Sequence, residues 1–387
     1  MTDHAQTTAA FDAFVTDARR WMFEEALPFW GEQGVDRRIG GYVEFLDFDL
    51  NATATFRRTR VACRQVYVFA HAHKLGWTKG RELSDHGFAF LRDKAWLGDD
   101  RGWARTLDSE GRPLDTTPDL YDHAFALFAL GWRHLALGCE ESLALAHQTM
   151  DFIDSHLRHP GGEGFLHELP ATGWRLQNPH MHMLEAALVL CEASGEPRWR
   201  ALADELGDLF ARRFFDGKTL AEYFDEDWSR APGEEGRMVE PGHQFEWSWI
   251  LANHRRLNGA DVADQACRLY DFAERHGVDP KTHATYDIVL DDGTPLKRSS
   301  RTWPNTERIK GAVAMHALRG EDPRAVIAYS GRVLLDRYLA HKPPGTWIDI
   351  FDETLAPTAK NIPTSTLYHV FLAFAEALRV AEVLAKD

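Results

Sequence analysis

The sequence predicts an all-α fold, an (α/α)6 barrel of six helical hairpins with short β-hairpins over one end. Six times along the chain, at intervals of about sixty residues, a polar cluster opens an apolar helical stretch. A second, amphipathic stretch precedes each of these six stretches. Repeated apolar units at such a period stack side by side and bury a continuous core between them. The repeat therefore indicates a ring of helix pairs.

The two kinds of stretch differ in where their apolar residues lie. The stretches predicted as outer helices have apolar residues on one face and charges between them, and they cover 8–27, 80–95, 141–157, 197–214, 261–276 and 323–340. The polar-headed stretches are apolar on every side, as in AFALFALGW over residues 124–132. A helix that is apolar all round is buried. The pattern therefore predicts an inner ring of helices inside an outer ring.

The polar-headed stretches also share the position of their titratable groups. They open at Arg60, Asp119, Asn178, Gly242, Trp303 and Pro363, and five of them close at Gly76, Gly138, Gly195, Gly259 and Gly320. Thirteen residues before the last three glycines stand His182, Glu246 and Glu307. The same helix position thus carries an acid–base group three times, which predicts one active site where the inner helices begin.

Short segments join each outer stretch to the next inner one. Six of them, from GGYVEFLDF at 40–48 to TWIDIFDET at 346–354, alternate polar and apolar residues and end in turn residues. This alternation predicts six short hairpins at the end where the inner helices begin. Since no segment has the composition of a linker, residues 1–387 are predicted to form a single catalytic domain.

Composition limits the classes of partner and compartment. The net charge of −15 argues against nucleic acid and anionic membrane surfaces as partners. No uncharged apolar run approaches the ~20 residues of a membrane span, and no signal peptide is evident. The cysteines are scattered without CxxC spacing, which predicts reduced thiols, at Cys63, Cys139, Cys191 and Cys267. We therefore expect a cytoplasmic protein, with a homo-oligomer left open.

The fourth inner stretch carries a pair typical of a general base. His243 and Glu246, in EPGHQFEWSW, are three positions apart and share one helix face near its start. A carboxylate beside such an imidazole can raise its pKa and fix its tautomer. The alternative is a surface His–Glu pair, which the aromatic neighbours Phe245, Trp247 and Trp249 disfavour.

Three further histidines belong to inner stretches. His180 and His182 are two positions apart and point in different directions, so we expect His182 to face the site. His180 then lies at the rim or supports a loop, and it is the weaker of the two as a substrate contact. His369 enters an apolar helix with no carboxylate near it in sequence, so it is either a core histidine or a second catalytic one.

Arg64 is a charged side chain inside an apolar helix. A buried guanidinium needs an acidic partner or a substrate oxygen, because burying it unpaired is too costly. Glu307 is the carboxylate that we consider for a structural salt bridge. Glu307 is otherwise a candidate for binding substrate.

Several aromatic and polar residues at the openings are candidates for lining the cavity. Tyr121 and Asp122 begin the second inner stretch, and the role of the adjacent His123 is left open. Trp303 and Trp347 could each stack on the face of a sugar ring or pack in the core.

Histidine bases with an arginine, in a chain without a phosphate-binding loop or a nucleophile elbow, indicate one type of chemistry. They suit proton transfer at a carbon beside a carbonyl, where the arginine stabilises the enediolate oxygen. Aldose–ketose isomerisation and C2 epimerisation of sugars are reactions of this type.

Five motifs together resemble the N-acylglucosamine 2-epimerase superfamily over nearly the whole chain: RQVYVFAHAHKLG, NPHMHMLEA, EPGHQFEWSW, RTWPNTE and STLYH. Within it the chain is most similar to the mannose isomerase and sulfoquinovose isomerase branch. The resemblance implies an (α/α)6 barrel, no required metal or organic cofactor, and a cis-enediol intermediate. It implies that His243 and His369 are the acid–base pair and that Glu246 supports His243. Arg64 would bind substrate oxygens, and His182 would assist ring opening or bind a hydroxyl.

The choice of substrate depends on one departure from the family pattern. Acylglucosamine and cellobiose epimerases usually carry an arginine a few residues after the last histidine, whereas His369 is followed by Val370, Phe371, Leu372 and Ala373. The sequence also offers no dedicated set of donors for a sulfonate. The predicted reaction is therefore the interconversion of the monosaccharides D-mannose and D-fructose, with D-lyxose and D-xylulose as a further pair. A sugar 2-epimerase or a sulfoquinovose isomerase is the alternative.

Three other classes stay open at this point. A glycoside hydrolase on the same toroid would use Glu246 and Glu307 as its carboxylate pair and leave the histidines unexplained. A metal-dependent isomerase would ligate Mn²⁺ or Zn²⁺ through His182, His243 and Glu246. A non-catalytic protein would bind the sugar without interconverting it.

Overall fold

Two concentric rings of helices dominate the computed structural model, which describes residues 2–386, with side chains from residue 4 onward. In chain order the α-helices are α1 (Thr2–Arg20), α2 (Leu27–Gln33), α3 (Thr59–Lys74), α4 (Gly80–Phe90), α5 (Leu120–Leu137), α6 (Glu140–His156), α7 (Asn178–Ser194), α8 (Pro197–Leu209), α9 (Pro241–Asn258), α10 (Ala263–His276), α11 (Thr302–Arg319), α12 (Arg324–Val333) and α13 (Thr366–Leu384). None of the described helices combines the length and the hydropathy of a membrane span.

The odd-numbered helices from α3 onward form the inner ring. Each packs against the next along the chain, and α13 packs against α3, which closes the ring. The outer helices α4, α6, α8, α10 and α12 each pack against the inner helix that precedes them, and α1 packs against α13 and α12. The predicted (α/α)6 barrel is confirmed, with the apolar stretches inside and the amphipathic stretches outside.

Four outer helices contain a π-helical turn, at Trp21–Ala26, Leu91–Ala95, Phe210–Phe214 and Leu334–Tyr338. The first of these turns joins α1 to α2 without a break, so the helices make twelve rods, as the sequence predicts. Large aromatic side chains lie buried in these turns, including Trp21 and Phe210.

Glycines end four inner helices in the left-handed backbone region. Gly138, Gly195, Gly259 and Gly320 have φ values of 65°, 71°, 75° and 67° and each donates its backbone N–H to the carbonyl four residues before it. Residues with a side chain rarely adopt this conformation, whereas glycine does so without steric cost. The predicted ends of these helices are therefore confirmed.

Twelve short strands lie between the helices: β1 (Phe45–Leu46), β2 (Phe56–Arg58), β3 (Thr106–Asp108), β4 (Pro113–Asp115), β5 (Arg175–Leu176), β6 (Tyr223–Phe224), β7 (Met238–Val239), β8 (Ile288–Leu290), β9 (Pro295–Lys297), β10 (Ser300–Arg301), β11 (Ile350–Phe351) and β12 (Ile362–Pro363). All the strand pairs are antiparallel. The pairs β3–β4 and β8–β9 are local hairpins, as predicted.

Besides these two hairpins, β6 and β11 fold back locally through the single antiparallel bridges Phe224–Arg230 and Phe351–Pro357, whereas the other strand pairs were not predicted. The pairs β2–β3, β5–β6, β7–β8 and β10–β11 join successive helical repeats, and β1 pairs with β12, which joins the first repeat to the last. Alternation of polar and apolar residues identifies a strand but carries no information about its partner. The ring brings segments from neighbouring repeats side by side, and their backbone groups are satisfied there.

These strand pairs lie at the end of the barrel where the inner helices begin. The strands β2, β5, β7, β10 and β12 each end within three residues of the start of an inner helix. The first turns of those helices are thereby held from both sides, by the ring of helices and by the strands. This end of the barrel is the predicted place of the site.

The core lies between the two rings, and it includes one tryptophan predicted as a sugar contact. Trp347 is fully buried and stacks on Trp30, with ring centroids 4.8 Å apart. The indole of Trp30 donates to the carbonyl of Gly345 at 2.9 Å. Of the two roles considered for Trp347, the structure places it in core packing.

Replacing Trp347 by alanine tests this placement. Removal of a buried indole leaves a cavity, so we expect the free energy of unfolding in urea to fall by about 3–5 kcal/mol. Tyr329→Ala, at a side chain 57% exposed, is the control and should change it by less than about 0.5 kcal/mol. A loss below about 1 kcal/mol for Trp347→Ala would contradict the core placement.

Candidate active site

Three histidines from three inner helices each contact a buried glutamate through the same ring nitrogen. The Nδ1-to-carboxylate distances are 3.0 Å for His182–Glu185, 2.8 Å for His243–Glu222 and 2.9 Å for His369–Glu307. A carboxylate accepts a hydrogen bond from Nδ1–H, so the pairing fixes the ring orientation and leaves Nε2 available to contact a ligand. Among the described residues, no hydrogen bond engages any of the three Nε2 atoms.

The glutamate beside His243 is itself held in place. Gln177 donates its side-chain amide to Glu222 at 2.8 Å, and the indole of Trp247 donates to the Gln177 carbonyl at 2.7 Å. The backbone N–H of Glu240 donates to the second oxygen of Glu222 at 3.2 Å. Because each of these groups is buried or nearly so, the orientation of the imidazole of His243 is strongly constrained.

The hydrogen-bond partner predicted for His243 is wrong. His243 is the third residue of α9 and lies beside the start of β6, where Glu222 reaches its Nδ1. Glu246 lies one turn further into the helix, and its carboxylate is 3.6 Å from the ammonium of Lys310 on α11. The shared helix face therefore leaves Glu246 near His243 without a hydrogen bond between them.

His369 belongs to a second buried charge cluster. Its partner Glu307 contacts Lys310 through the other carboxylate oxygen, at 2.5 Å. Lys310 and Glu307 are completely buried, and the ammonium of Lys310 lies 4.5 Å from the ring centre of Trp249. The carboxylate that the sequence near His369 lacks thus comes from α11.

Arg64 has an aromatic environment in place of a salt bridge. It donates to the hydroxyl of Tyr121 at 2.7 Å, and its guanidinium lies 4.2 Å from the ring centre of Phe125 and 5.2 Å from that of Tyr368. The considered salt bridge with Glu307 is absent, since Glu307 pairs with Lys310 and His369. Arg64 as a whole is 7% exposed, and its guanidinium keeps donors for a ligand oxygen.

Two aromatic residues connect the histidines. The ring of Trp303 lies 5.0 Å from that of His243 and 5.8 Å from that of His369. The ring of Tyr121 lies 5.0 Å from that of His182. The structure thus brings the following predicted residues into one network at the start of the inner helices: Arg64, Tyr121, His182, His243, Glu246, Trp303, Glu307 and His369.

Two predicted substrate contacts lie outside this network, in addition to Trp347. His180 accepts from the backbone N–H of Phe165 at 3.0 Å and contacts the carbonyl of Leu176 at 2.9 Å, so both ring nitrogens support the backbone. Asp122 is fully buried, and it accepts from the backbone N–H of Arg60 and pairs with the guanidinium of the same residue. His180 therefore supports a loop, the second of the roles considered for it.

The three carboxylate-bound histidines differ in their affinity for protons. Burial lowers the pKa of His182 to about 3 and holds that of His369 well below its usual value. Burial acts in the same direction on His243, but the charges of Glu222 and Glu240 outweigh it and raise its pKa to about 9. Near neutral pH the site therefore holds one imidazolium, at His243, and two neutral imidazoles.

Three sets of donor atoms lie within 4.8 Å of one another, a spacing at which a cation could bind: His182, Glu185 and Glu246; Glu222, Glu240 and His243; Glu246, Glu307 and His369. In the third set the ammonium of Lys310 already lies between the two carboxylates. In each set the Nδ1 atom of the histidine is engaged by a glutamate. The chain thus supplies its own positive charge, and the expectation of no metal stays a prediction.

Several residues that contact this network were not predicted from the sequence: Gln177, Glu185, Glu222, Lys310 and Tyr368. Glu185 stands three positions after His182 on the same helix, so helical spacing was a sufficient signal for it. Glu222 lies 21 residues before His243 on a separate segment, and no local pattern links the two. Its role depends on the pairing of β5 with β6.

A separate cavity of about 440 Å³ opens at the opposite end of the barrel. Its walls include Trp132, Trp249 and Glu376, and Glu185 borders it from the side of the site. None of the three carboxylate-bound histidines lines this cavity. The chemistry that the site residues can perform therefore belongs to the end where the inner helices begin.

Comparisons with known proteins identify the family of this chain. The family model described as N-acylglucosamine 2-epimerase (GlcNAc 2-epimerase) matches residues 40–373. A mannose-6-phosphate isomerase of Rhizobium meliloti (strain 1021) is 34% identical over 368 residues, which cover 92% of this chain and 94% of that protein. A D-mannose isomerase of Thermobifida fusca is 27% identical and covers 77% of this chain and 78% of its own length.

Solved structures show the same fold. A cellobiose 2-epimerase from Spirochaeta thermophila DSM 6192 superposes with a TM-score of 0.87 at 22% identity, covering 97% of this chain and 98% of that one. A D-mannose isomerase structure has a TM-score of 0.83 at 21% identity and covers 96% and 97% of the two chains. With the sequence match over most of its length, the chain belongs to the N-acylglucosamine 2-epimerase family of sugar isomerases and epimerases.

Proposed function

We propose that this protein is an aldose–ketose isomerase that interconverts D-mannose and D-fructose without a cofactor. The observation that carries the proposal is the division of the two histidines beside Trp303 into an acid and a base. His243 holds an extra proton because carboxylates surround it, whereas His369 is neutral because it is buried beside cations. Isomerisation through an enediol needs these two groups at once.

The proton transfers balance over one turnover. In open-chain mannose, Nε2 of His369 takes the proton from C2 while the imidazolium of His243 gives a proton to the C1 carbonyl oxygen. The product of this step is a neutral cis-enediol. His369 then returns its proton to C1, and the hydroxyl proton on O2 passes to His243 as the ketone forms. Both histidines regain their starting protonation, and fructose results.

Other residues of the network would bind the sugar. Arg64 keeps guanidinium donors that can hold the oxygen on which negative charge develops. The carboxylate of Glu246 receives no hydrogen bond from the described residues, since the ammonium of Lys310 is 3.6 Å from its Oε1, so this carboxylate can accept from a sugar hydroxyl. The indole face of Trp303, between the two histidines, can cover the carbon-bound hydrogens of the chain.

Two observations favour isomerisation over epimerisation. The family relative with 34% identity is a phosphosugar isomerase, and His369 is followed by apolar residues, where family epimerases usually carry an arginine. The neutral hexose is favoured over its 6-phosphate because two arginines near the site are already paired with carboxylates. Arg60 pairs with Asp122, and Arg301 pairs with Asp287, among others.

A product assay tests the proposed reaction directly. The protein is first treated exhaustively with EDTA. It is then incubated with D-mannose, D-mannose 6-phosphate or cellobiose, and the products are separated by chromatography. We expect fructose from mannose at an undiminished rate, with a kcat/KM at least ten times that for the 6-phosphate. Glucose as the main product from mannose, or activity that requires added Mn²⁺ or Zn²⁺, would contradict the proposal.

Exchange with solvent tests the roles of the histidines. In D₂O the wild-type protein should place deuterium on C1 of fructose and C2 of mannose. His369→Ala removes the base, so we expect kcat and deuterium incorporation to fall by about 10²–10⁴-fold, and His243→Ala should do the same. His316→Ala, at the far end of α11, is the control. Turnover near the wild-type rate in either active-site variant would refute the assignment.

The dependence on pH tests the acid. Because the pKa of His243 is raised to about 9, its acid form persists through neutral pH, and activity should decline only as the pH rises through about 9. Glu222→Gln removes an anion that stabilises the imidazolium, so the pKa falls and the alkaline limb of kcat/KM should move to lower pH by at least one unit.

The matched control is Glu226→Gln, since Glu226 contacts His159 at 3.2 Å with a side chain 72% exposed. It should leave the pH profile unchanged. If the alkaline limb lies at the same pH in Glu222→Gln and in wild type, the His243–Glu222 pair does not determine the pKa of the catalytic acid.

A further inference from the structure

Lys310 is a fully buried cation. Among the described residues, its ammonium forms ion pairs with two glutamates and with no other carboxylate. Its ammonium lies 2.5 Å from Glu307 on its own helix and 3.6 Å from Glu246 on α9. The other oxygen of Glu307 is 2.9 Å from Nδ1 of His369 on α13. Glu246, Lys310, Glu307 and His369 thus form a continuous chain of contacts through three helices of the inner ring, α9, α11 and α13.

Burying a cluster of charged groups costs free energy, so the presence of a lysine in it calls for a functional explanation. Moving a charged ammonium or carboxylate out of water costs several kcal/mol per ion even after relaxation. An apolar residue at position 310 would pack among Trp249 and its neighbours with no such cost. A buried charge beside a predicted catalytic base, in spite of this cost, indicates a role in fixing the protonation of that base.

We propose that Lys310 is a positioning residue that keeps Glu307 as a carboxylate, so that His369 carries its proton on Nδ1 and presents a bare Nε2 to the substrate. This inference rests on the proposed role of His369 as the base. The chemistry acts through Glu307, since Lys310 itself has no contact with the imidazole. Lys310 therefore controls the tautomer of His369 and not only the position of its ring.

The consequence of losing the lysine follows from the charges that remain. Burial and the carboxylate of Glu246 raise the pKa of Glu307 well above its usual value, and Lys310, whose ammonium is 2.5 Å away, is the main group that opposes this rise. Without Lys310, Glu307 takes up a proton and becomes a neutral acid. Its O–H can then donate to Nδ1 of His369, which moves the imidazole proton to Nε2. His369 would then face the substrate with an N–H group in place of a lone pair.

Other groups around His369 do not replace the lysine. The titratable and charged side chains that face this cluster from the packed helices are Arg64 on α3, His182 and Glu185 on α7, His243 and Glu246 on α9, and Tyr368 on α13. Arg64, the other cation with a fixed charge, donates to Tyr121 and lies among aromatic rings. Lys310 is therefore the cation in contact with Glu307.

The tautomer can be measured without any substrate. Long-range ¹H–¹⁵N spectra of protein labelled with ¹⁵N-histidine distinguish Nδ1–H from Nε2–H, and the His369→Gln variant identifies the signal. We expect Nδ1–H in wild type and in Lys310→Arg, and Nε2–H in Lys310→Met. An Nε2–H signal in the wild-type protein, or an unchanged tautomer in folded Lys310→Met, would overturn the proposal. Because no sugar is present, failure of the proposed isomerase reaction leaves this test intact.

Kinetics of a double-mutant cycle provide the second test. For Lys310→Met we expect kcat to fall by about 10²–10⁴-fold, as for loss of a general base, with KM within about threefold of wild type. In a Glu307→Gln background the same change should have less than a tenth of that effect, since the lysine acts through the glutamate. Lys310→Arg should recover most of kcat.

Structural damage is separated from positioning by two further readouts. Thermal unfolding of each variant reports the fold, and Lys218→Met, at an exposed lysine, is the matched control. If Lys310→Met does not fold, the tautomer in wild type and the activity of Lys310→Arg decide the matter. Independent effects of the two substitutions, multiplying in the double variant, would show that Lys310 does not act through Glu307.

Discussion

The contact between a buried glutamate and Nδ1 of a histidine is the interaction on which the site depends. It occurs three times, at His182, His243 and His369, and each time it leaves Nε2 without a hydrogen bond among the described residues. The same geometry gives different protonation because the surroundings differ. Several carboxylates surround His243, whereas cations and apolar walls surround His369. In the proposed reaction, one repeated contact thus yields an acid in one helix and a base in another.

The barrel is suited to this arrangement because its inner ring brings side chains from distant parts of the chain into contact. His369 and Glu307 are 62 positions apart, and His243 and Glu222 are 21 apart. The strand pairs between successive repeats hold the first turns of the inner helices, and the β1–β12 pair closes that ring. The apolar core between the rings carries the stability, so the first turns can keep buried charges that would otherwise be unfavourable.

The fold could be predicted from the sequence because its signals are local and repeated. Apolar stretches, closing glycines and polar openings recur at nearly constant spacing, and the helix ends at Gly138 and Gly195 follow from them. The partners of the strands and of the histidines were not predictable in this way. Glu222 reaches His243 through the pairing of two strands, and Glu246 points to Lys310 although it shares a helix face with His243. Contacts between repeats depend on how all the helices of the ring pack, which no local sequence pattern records.

Locating the hydrogen atoms on the three histidines would decide between one acid and one base and any other division of the protons. Neutron diffraction from a deuterated crystal near pH 7 shows which ring nitrogens carry deuterium. We expect deuterium on both nitrogens of His243, and on Nδ1 alone in His182 and His369. A neutral His243, or a His369 that carries deuterium on Nε2, would contradict the division of the site into one acid and one base.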